Sequence, residues 1–174
     1  MIGFKVDQTG RSTTQLANPK RWAVDKPFVQ LSSQLLASPA MRRLGINARR
    51  VLDRLLCEQA AHASLENGRL IVTYDQFVEA GCSRGLIPEG IRQLVDHGLA
   101  EVVEVGGIGM GIRRPSFYRL TMFPANGHGP THEWKRVTDE KITKTREGRR
   151  TVRERARSFR VAQRVTRAGG DGDI

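Results

Sequence analysis

Apolar positions recur at helical spacing between Asn47 and Ala63, where Ala48, Val51, Leu52, Leu55 and Leu56 form one stripe and Arg49, Arg50, Asp53 and Arg54 lie outside it. This pattern predicts a long scaffold helix whose stripe is core. Before it, Phe28, Val29, Leu31, Leu35 and Leu36 predict a short helix from Pro27 that ends before Ser38-Pro39, because the residue preceding a proline is pushed out of helical conformation. After it, Glu66-Asn67-Gly68 marks a turn into a short strand at Leu70-Ile71-Val72.

The stretch from Arg69 to Leu120 is the most informative. Thr73 is placed to cap a helix, Gln76 completes a capping box three residues on, Phe77 and Ala80 fall on one face, and Gly81 suits a left-handed stop. A tight turn through Cys82, Ser83 and Arg84 leads to a second helix, Gly85 to His97. There Ile87, Ile91, Leu94 and Val95 recur at helical spacing, leaving Gly85, Glu89, Arg92, Gln93 and Asp96 on the outer face. Gly98 ends it. Leu99 to Val105 then alternates as a strand, Gly106 to Gly111 is glycine-rich, and Ser116 to Met122 alternates as a second strand.

Helix, turn, helix and hairpin follow one another in the order of a winged helix. With Asn67-Gly68-Arg69-Leu70, Phe77, Gly81, Ile87-Pro88, Ile91-Arg92, Gly98-Leu99 and Tyr118-Arg119-Leu120-Thr121, about the middle half of the chain resembles the winged helix-turn-helix of small bacterial DNA-binding proteins. It is similar also to the DNA-binding modules of plasmid and phage replication initiators. The expected fold class is therefore mainly α with a small β-hairpin, an α+β winged helix-turn-helix. A fold alone does not fix a function, so a biological role taken from the resemblance is an analogy.

Four segments are expected: a flexible arm at 1–26, the winged helix domain at 27–124, a linker at 125–138 and a basic, partly helical tail at 139–174. In the arm, Lys20, Arg21 and Lys26 surround Trp22, a set that either touches a phosphate backbone or is a solvated leader with one docked aromatic. In the tail, Val152, Ala156 and Phe159 make a thin apolar stripe among many arginines, too narrow to hold a helix firmly to a core. Such a segment orders in full only on nucleic acid or a partner, or else serves as a solvated basic helix. Gly169 to Ile174 should fray.

Charge sharpens this picture. The 174 residues hold 29 Lys+Arg against 18 Asp+Glu, a net +11 with a pI near 10.8, a balance that favours polyanions. Residues 133–174 carry 13 basic and 7 acidic side chains, residues 1–132 carry 16 and 11, so the tail is the more densely basic part.

Candidate DNA contacts follow from chemistry and position. Ser83 and Arg84 sit in the turn; Arg84 suits guanine and Gln93 suits adenine on a helix lying in the major groove, with Arg92 a third reader only if Glu89 and Asp96 leave it free. Arg113 and Arg114, on the descending edge of a flexible glycine-rich wing, are placed for the backbone or a narrow minor groove. Arg149, Arg150 and Arg153 in the tail would add sequence-blind affinity.

Other chemistries find little support. The glycine-rich segment precedes a strand rather than a helix, unlike a dinucleotide loop. His128 and His132 are separated by Gly129-Pro130 and share no helical face. Cys57 and Cys82 form no disulfide or metal pattern and read as reduced structural thiols; Cys82, Ser83 and His97 have no orienting carboxylate at a suitable spacing. No enzyme, cofactor, metal or small-molecule ligand is expected. Hydrophobic runs fall short of a membrane span and Met1 to Gly10 has no apolar signal core, so the chain is expected in the cytoplasm, with the nucleoid.

The expected partner is double-stranded DNA, with a protein partner or a homodimer besides. The expected function is sequence-specific double-stranded DNA binding as a transcription regulator; a factor in plasmid or phage replication and a winged helix protein-docking module are the alternatives, and RNA binding through the tail is a further one.

Overall fold

The computed structural model describes residues 27–168 apart from 63, 110, 111 and 126. The expected arm with Lys20, Arg21, Trp22 and Lys26, and the expected frayed end at 169–174, lie outside the described residues. Helix α1 occupies only Ser33–Ala37, because Ser32, extended at φ −71° and ψ 146°, caps it by accepting the Leu35 N–H at 3.2 Å. The expected start at Pro27 is thus corrected. Ser38 then joins two helices: its hydroxyl donates to the Leu35 carbonyl at 2.6 Å and accepts the Met41 N–H at 3.3 Å, opening α2, Pro39–Arg42. The proline that ends one helix is at the first turn of the next, where its missing N–H is harmless.

Helix α3, Ile46–Ala61, buries the five residues of its expected stripe and also Gln59, whose Nε2 donates to the Ser64 carbonyl at 3.2 Å. Strand β1 is Leu70–Ile71. Helix α4, Tyr74–Glu79, opens on the expected capping box: Thr73 Oγ1 accepts the Gln76 N–H at 3.2 Å and Gln76 Oε1 accepts the Thr73 N–H at 2.8 Å. Phe77 is fully buried, but Ala80 is the exposed C-cap residue rather than a core residue, and Gly81 follows at φ +85°.

A single 3-10 turn, Arg84–Leu86, precedes α5, Ile87–Asp96. Ile87, Gly90 and Leu94 are buried and Ile91 is half-buried, whereas Val95 is exposed. The inner face is therefore rotated from the expected one, and the rotation has a visible cause. A Cβ on Gly90 would come within 3.1 Å of Val51 Cγ2 and 3.4 Å of the Ala48 backbone, so a side chain here would press α5 away from α3 by a few tenths of an ångström, and glycine lets the two lie this close.

The sheet comprises β1, β2 (Ala100–Glu104) and β5 (Phe117–Leu120), antiparallel in the order β1-β5-β2, with an irregularity between Val102 and Glu104. Between β2 and β5 the chain forms a second hairpin, β3 (Gly107–Gly109) against β4 (Ile112–Arg114), with Gly107 opposite Arg114. What was expected as a flexible glycine loop is thus backbone-paired over these residues. The Phe77 and Tyr118 rings meet edge to face at 6.3 Å, joining α4 to the sheet. The described part is accordingly α+β, mainly helical with a small antiparallel sheet.

Residues 125–138 are not a simple linker. Trp134, in a 3-10 turn at Glu133–Arg136, and Val137 are buried in the same core as Leu94 and Leu120. Helix α6 runs unbroken over Asp139–Ala168, rather than in part, and Ile142 at the end of its first turn is also in the core. Val152 and Phe159 are exposed, as a stripe too narrow for packing should be.

Candidate nucleic-acid interface

The turn between α4 and α5 is held from below. Ser83 donates its backbone N–H to Asn47 Oδ1 at 3.2 Å, and the Arg50 guanidinium donates to the Gly81 carbonyl, so both bonds tie the turn to α3. This fixes where Arg84 emerges. Its side chain is 60% exposed and its guanidinium pairs with Asp75 at the start of α4, a surface pair that a stronger anion can displace at little cost.

The outer face of α5 is occupied. Gln93 is half-buried and its Oε1 accepts the Gly45 N–H at 3.1 Å, so its amide oxygen is turned toward the start of α3 rather than outward. Arg92 donates to Glu89 at 2.8 Å, and Glu89 also receives Arg153 of α6 at 2.5 Å. Asp96 receives Arg149 of α6 at 2.5 Å. Burial raises the Asp96 pKa above the ordinary carboxylate value even though Arg149 works the other way. Arg92 is therefore not free of its acidic neighbours.

Helix α6 crosses this face and leaves a groove of about 250 Å³ lined by Gln93, His97, Ile142 and Arg146 among others. His97 is buried, its Nδ1 donating to the Ala40 carbonyl at 2.7 Å; burial lowers its pKa. The Arg146 guanidinium donates to the Arg43 carbonyl, and Asp139 pairs with Arg43 at 3.0 Å and Arg42 at 3.5 Å. Of the three tail arginines that the sequence points to, Arg149 and Arg153 pair with carboxylates of α5, while Arg150, which also lines this groove, pairs with Glu154 of its own helix at 3.3 Å.

At the hairpin, Arg114 is exposed and lines a cleft of about 560 Å³ with Tyr74, Asp75 and Ser116. Arg113 lies on β4 opposite Ile108; its side chain lies outside the described part. Arg84 and Arg114 are thus linked through one acidic residue, Asp75, which pairs with the first and lines the cleft of the second. Arg92, Gln93, Arg149 and Arg153 form a separate group on the α5–α6 side.

The docking role of Glu89 and Asp96 was not read from the sequence. The signal was present: two carboxylates seven residues apart share one face of α5, and two arginines four apart share one face of α6. Trp134 was missed as well, because a lone aromatic between histidines and basic residues carries no periodicity.

Among the described residues no group of three or more His, Cys, Asp or Glu could hold a metal ion, and no helix is long and apolar enough to cross a membrane. Both cysteines are free; Cys82 is buried, whereas Cys57 is exposed and so is no packing residue. Compared with known proteins, the chain is matched by no family model, no curated protein and no solved structure.

Proposed function

We propose that the chain is a sequence-specific double-stranded DNA-binding protein of the winged helix-turn-helix type, acting as a transcription regulator. The observation that carries this reading is topological. Helix α3, strand β1, helices α4 and α5, strand β2, a hairpin and strand β5 follow in order, and the sheet runs β1-β5-β2. In a winged helix this order would make α5 the recognition helix and β3-β4 the wing, which supports the reading. Net charge of +11 supplies the attraction to phosphate.

In this reading the N-terminal end of α5 leads into the major groove. Arg84 exchanges Asp75 for a guanine edge, while Ser83 and Arg114 contact the backbone. Gln93 is withdrawn from the reading set by its bond to Gly45. A factor at a plasmid or phage replication locus would use the same contacts, so the location of the bound site decides between the two roles.

One observation favours a second reading, a winged helix docking module: the outer face of α5 carries two carboxylates and already accommodates a helix. Selection of bound fragments from genomic DNA, repeated with Arg84→Ala, separates the readings. An enriched motif that loses preference at one position in the variant supports DNA reading; no enrichment of any sequence favours docking.

A further inference from the structure

Helix α6 is attached to the domain in two different ways on the two sides of Gly148. Before it, Ile142 is buried in the core, Asp139 bridges Arg42 and Arg43, and Arg146 reaches the Arg43 carbonyl. After it, every residue from Thr151 to Arg160 is exposed, and among the described residues the side-chain bonds that reach α5 are the ion pairs Arg149–Asp96 and Arg153–Glu89. Gly148 itself is exposed, and a Cβ there would meet nothing within 4 Å. Packing does not call for a glycine at this point, while a glycine inside a helix weakens it relative to alanine. The helix is loosest at the joint between its packed part and its charge-docked part.

Helical spacing sets Arg146, Arg149, Arg153, Arg157 and Arg160 along one face. Against it α5 offers two carboxylates, and Glu89 is shared with Arg92. Arg157 and Arg160 are exposed with no carboxylate in ion-pair reach among the described residues. Among the described residues, two of these five arginines are paired with carboxylates.

Size decides what this means for DNA. A helix with its side chains is about 10–12 Å across, and the major groove is about 12 Å wide, room for one helix and not two side by side. With α6 laid along it, the outer face of α5 cannot enter a groove.

We propose that the arginine face of α6 is a second binding surface for the phosphate backbone of the same duplex, masked in the free protein by Glu89 and Asp96. On binding, the helix beyond Gly148 leaves α5 and the two arginines move from carboxylates to phosphates. The Arg153–Glu89 pair is exposed on its arginine side and the Arg149–Asp96 pair is partly buried, so the first is exchanged at little cost and counterion release from the polyanion offsets the loss of the second. The inference rests on the DNA-binding reading and adds to it an order of events: unmasking of α5 and capture of backbone by α6 are one step.

The test is a salt series of binding titrations on a 25-base-pair random duplex and on a selected one, with the melting temperature of every variant recorded. Arg149→Ala with Arg153→Ala should weaken binding and flatten the slope of log affinity against log salt by about 1.8, two phosphate contacts. Glu89→Gln with Asp96→Asn should bind several-fold tighter than Glu147→Gln with Glu154→Gln, which changes net charge equally at residues of α6 that do not pair with Arg149 or Arg153. Gly148→Ala, which stiffens the joint, should weaken binding while raising the melting temperature. A wild-type protein that binds neither duplex overturns the DNA-binding reading itself. Wild-type binding with an unmoved salt slope in the double arginine variant, or an equal gain in the two acid-neutralised variants, overturns the masking alone.

Discussion

The side-chain oxygen of Gln93 accepts the backbone N–H of Gly45 at 3.1 Å, joining the middle of α5 to the residue that precedes α3. Gly45 has no side chain to cap the first turn of α3, and Gln93 satisfies from another helix the N–H of the cap residue itself, the bond that the third helical residue makes in a capping box. Gln93→Ala should lower stability by about 1 kcal/mol, the usual net value of such a bond, and leave sequence preference in DNA binding unchanged. Denaturant midpoints and competition between selected and random duplexes check the two halves. Altered preference at full stability would return Gln93 to the reading set.

That bond also marks the limit of what the chain discloses by itself. Local signals were legible: the capping box at Thr73 and Gln76, the left-handed Gly81 and the stripe of α3 all depend on neighbours within a few residues. The inner face of α5 was displaced because the closeness of α3, set by Gly90, outweighs the apolar count that favoured Val95. In the sequence, residue type and the exposure expected on an isolated helix are all that point to a site residue. Arg84 remained exposed, but Gln93, Arg149 and Arg153 took partners 48, 53 and 64 residues away, and no spacing within one helix encodes those.

Asn67 illustrates a polar residue that holds the sheet rather than a surface turn. It is buried, its Nδ2 donates to the carbonyls of Leu120, Phe123 and Pro124 at 2.9, 3.0 and 3.1 Å, and its Oδ1 accepts the Leu120 N–H at 2.7 Å. Asn67→Ala would leave several backbone groups unpaired at the end of β5. A loss of about 3 kcal/mol, the upper end for unsatisfied buried groups, is expected in urea titration. A loss below about 0.5 kcal/mol would mean that water replaces the amide at no net penalty.

Leu94 is fully buried between the helices, so Leu94→Ala should cost on the order of 2 to 5 kcal/mol. The same reasoning applies at the start of α6. Deleting residues 139–174 removes Ile142 and with it a core side chain, and should lower stability by about 2 to 4 kcal/mol. Deleting residues 151–174 removes only exposed side chains among those described and one surface pair to α5, and should leave the cooperative melt in place. Equal melting of the two truncations would show that Ile142 contributes nothing to the core.

His97 couples the fold to pH. Its ring is buried and donates from Nδ1 to the Ala40 carbonyl at 2.7 Å, which fixes α5 against α2. Burial is the largest influence and lowers the pKa; the Ala40 bond and Asp96 act upward, and Arg146 acts downward. The folded pKa thus lies below the unfolded value of about 6.5. As pH falls through that value the unfolded chain takes up the proton first, so stability is lost progressively from about pH 6.5 down to the folded pKa and then levels. Above about pH 6.5 the imidazole is neutral in both states and contributes no slope. Urea midpoints measured between pH 7.5 and pH 5 should therefore decline for the wild-type protein and decline less for His97→Gln. Parallel profiles in the two proteins would assign the decline to other groups and remove His97 as its source.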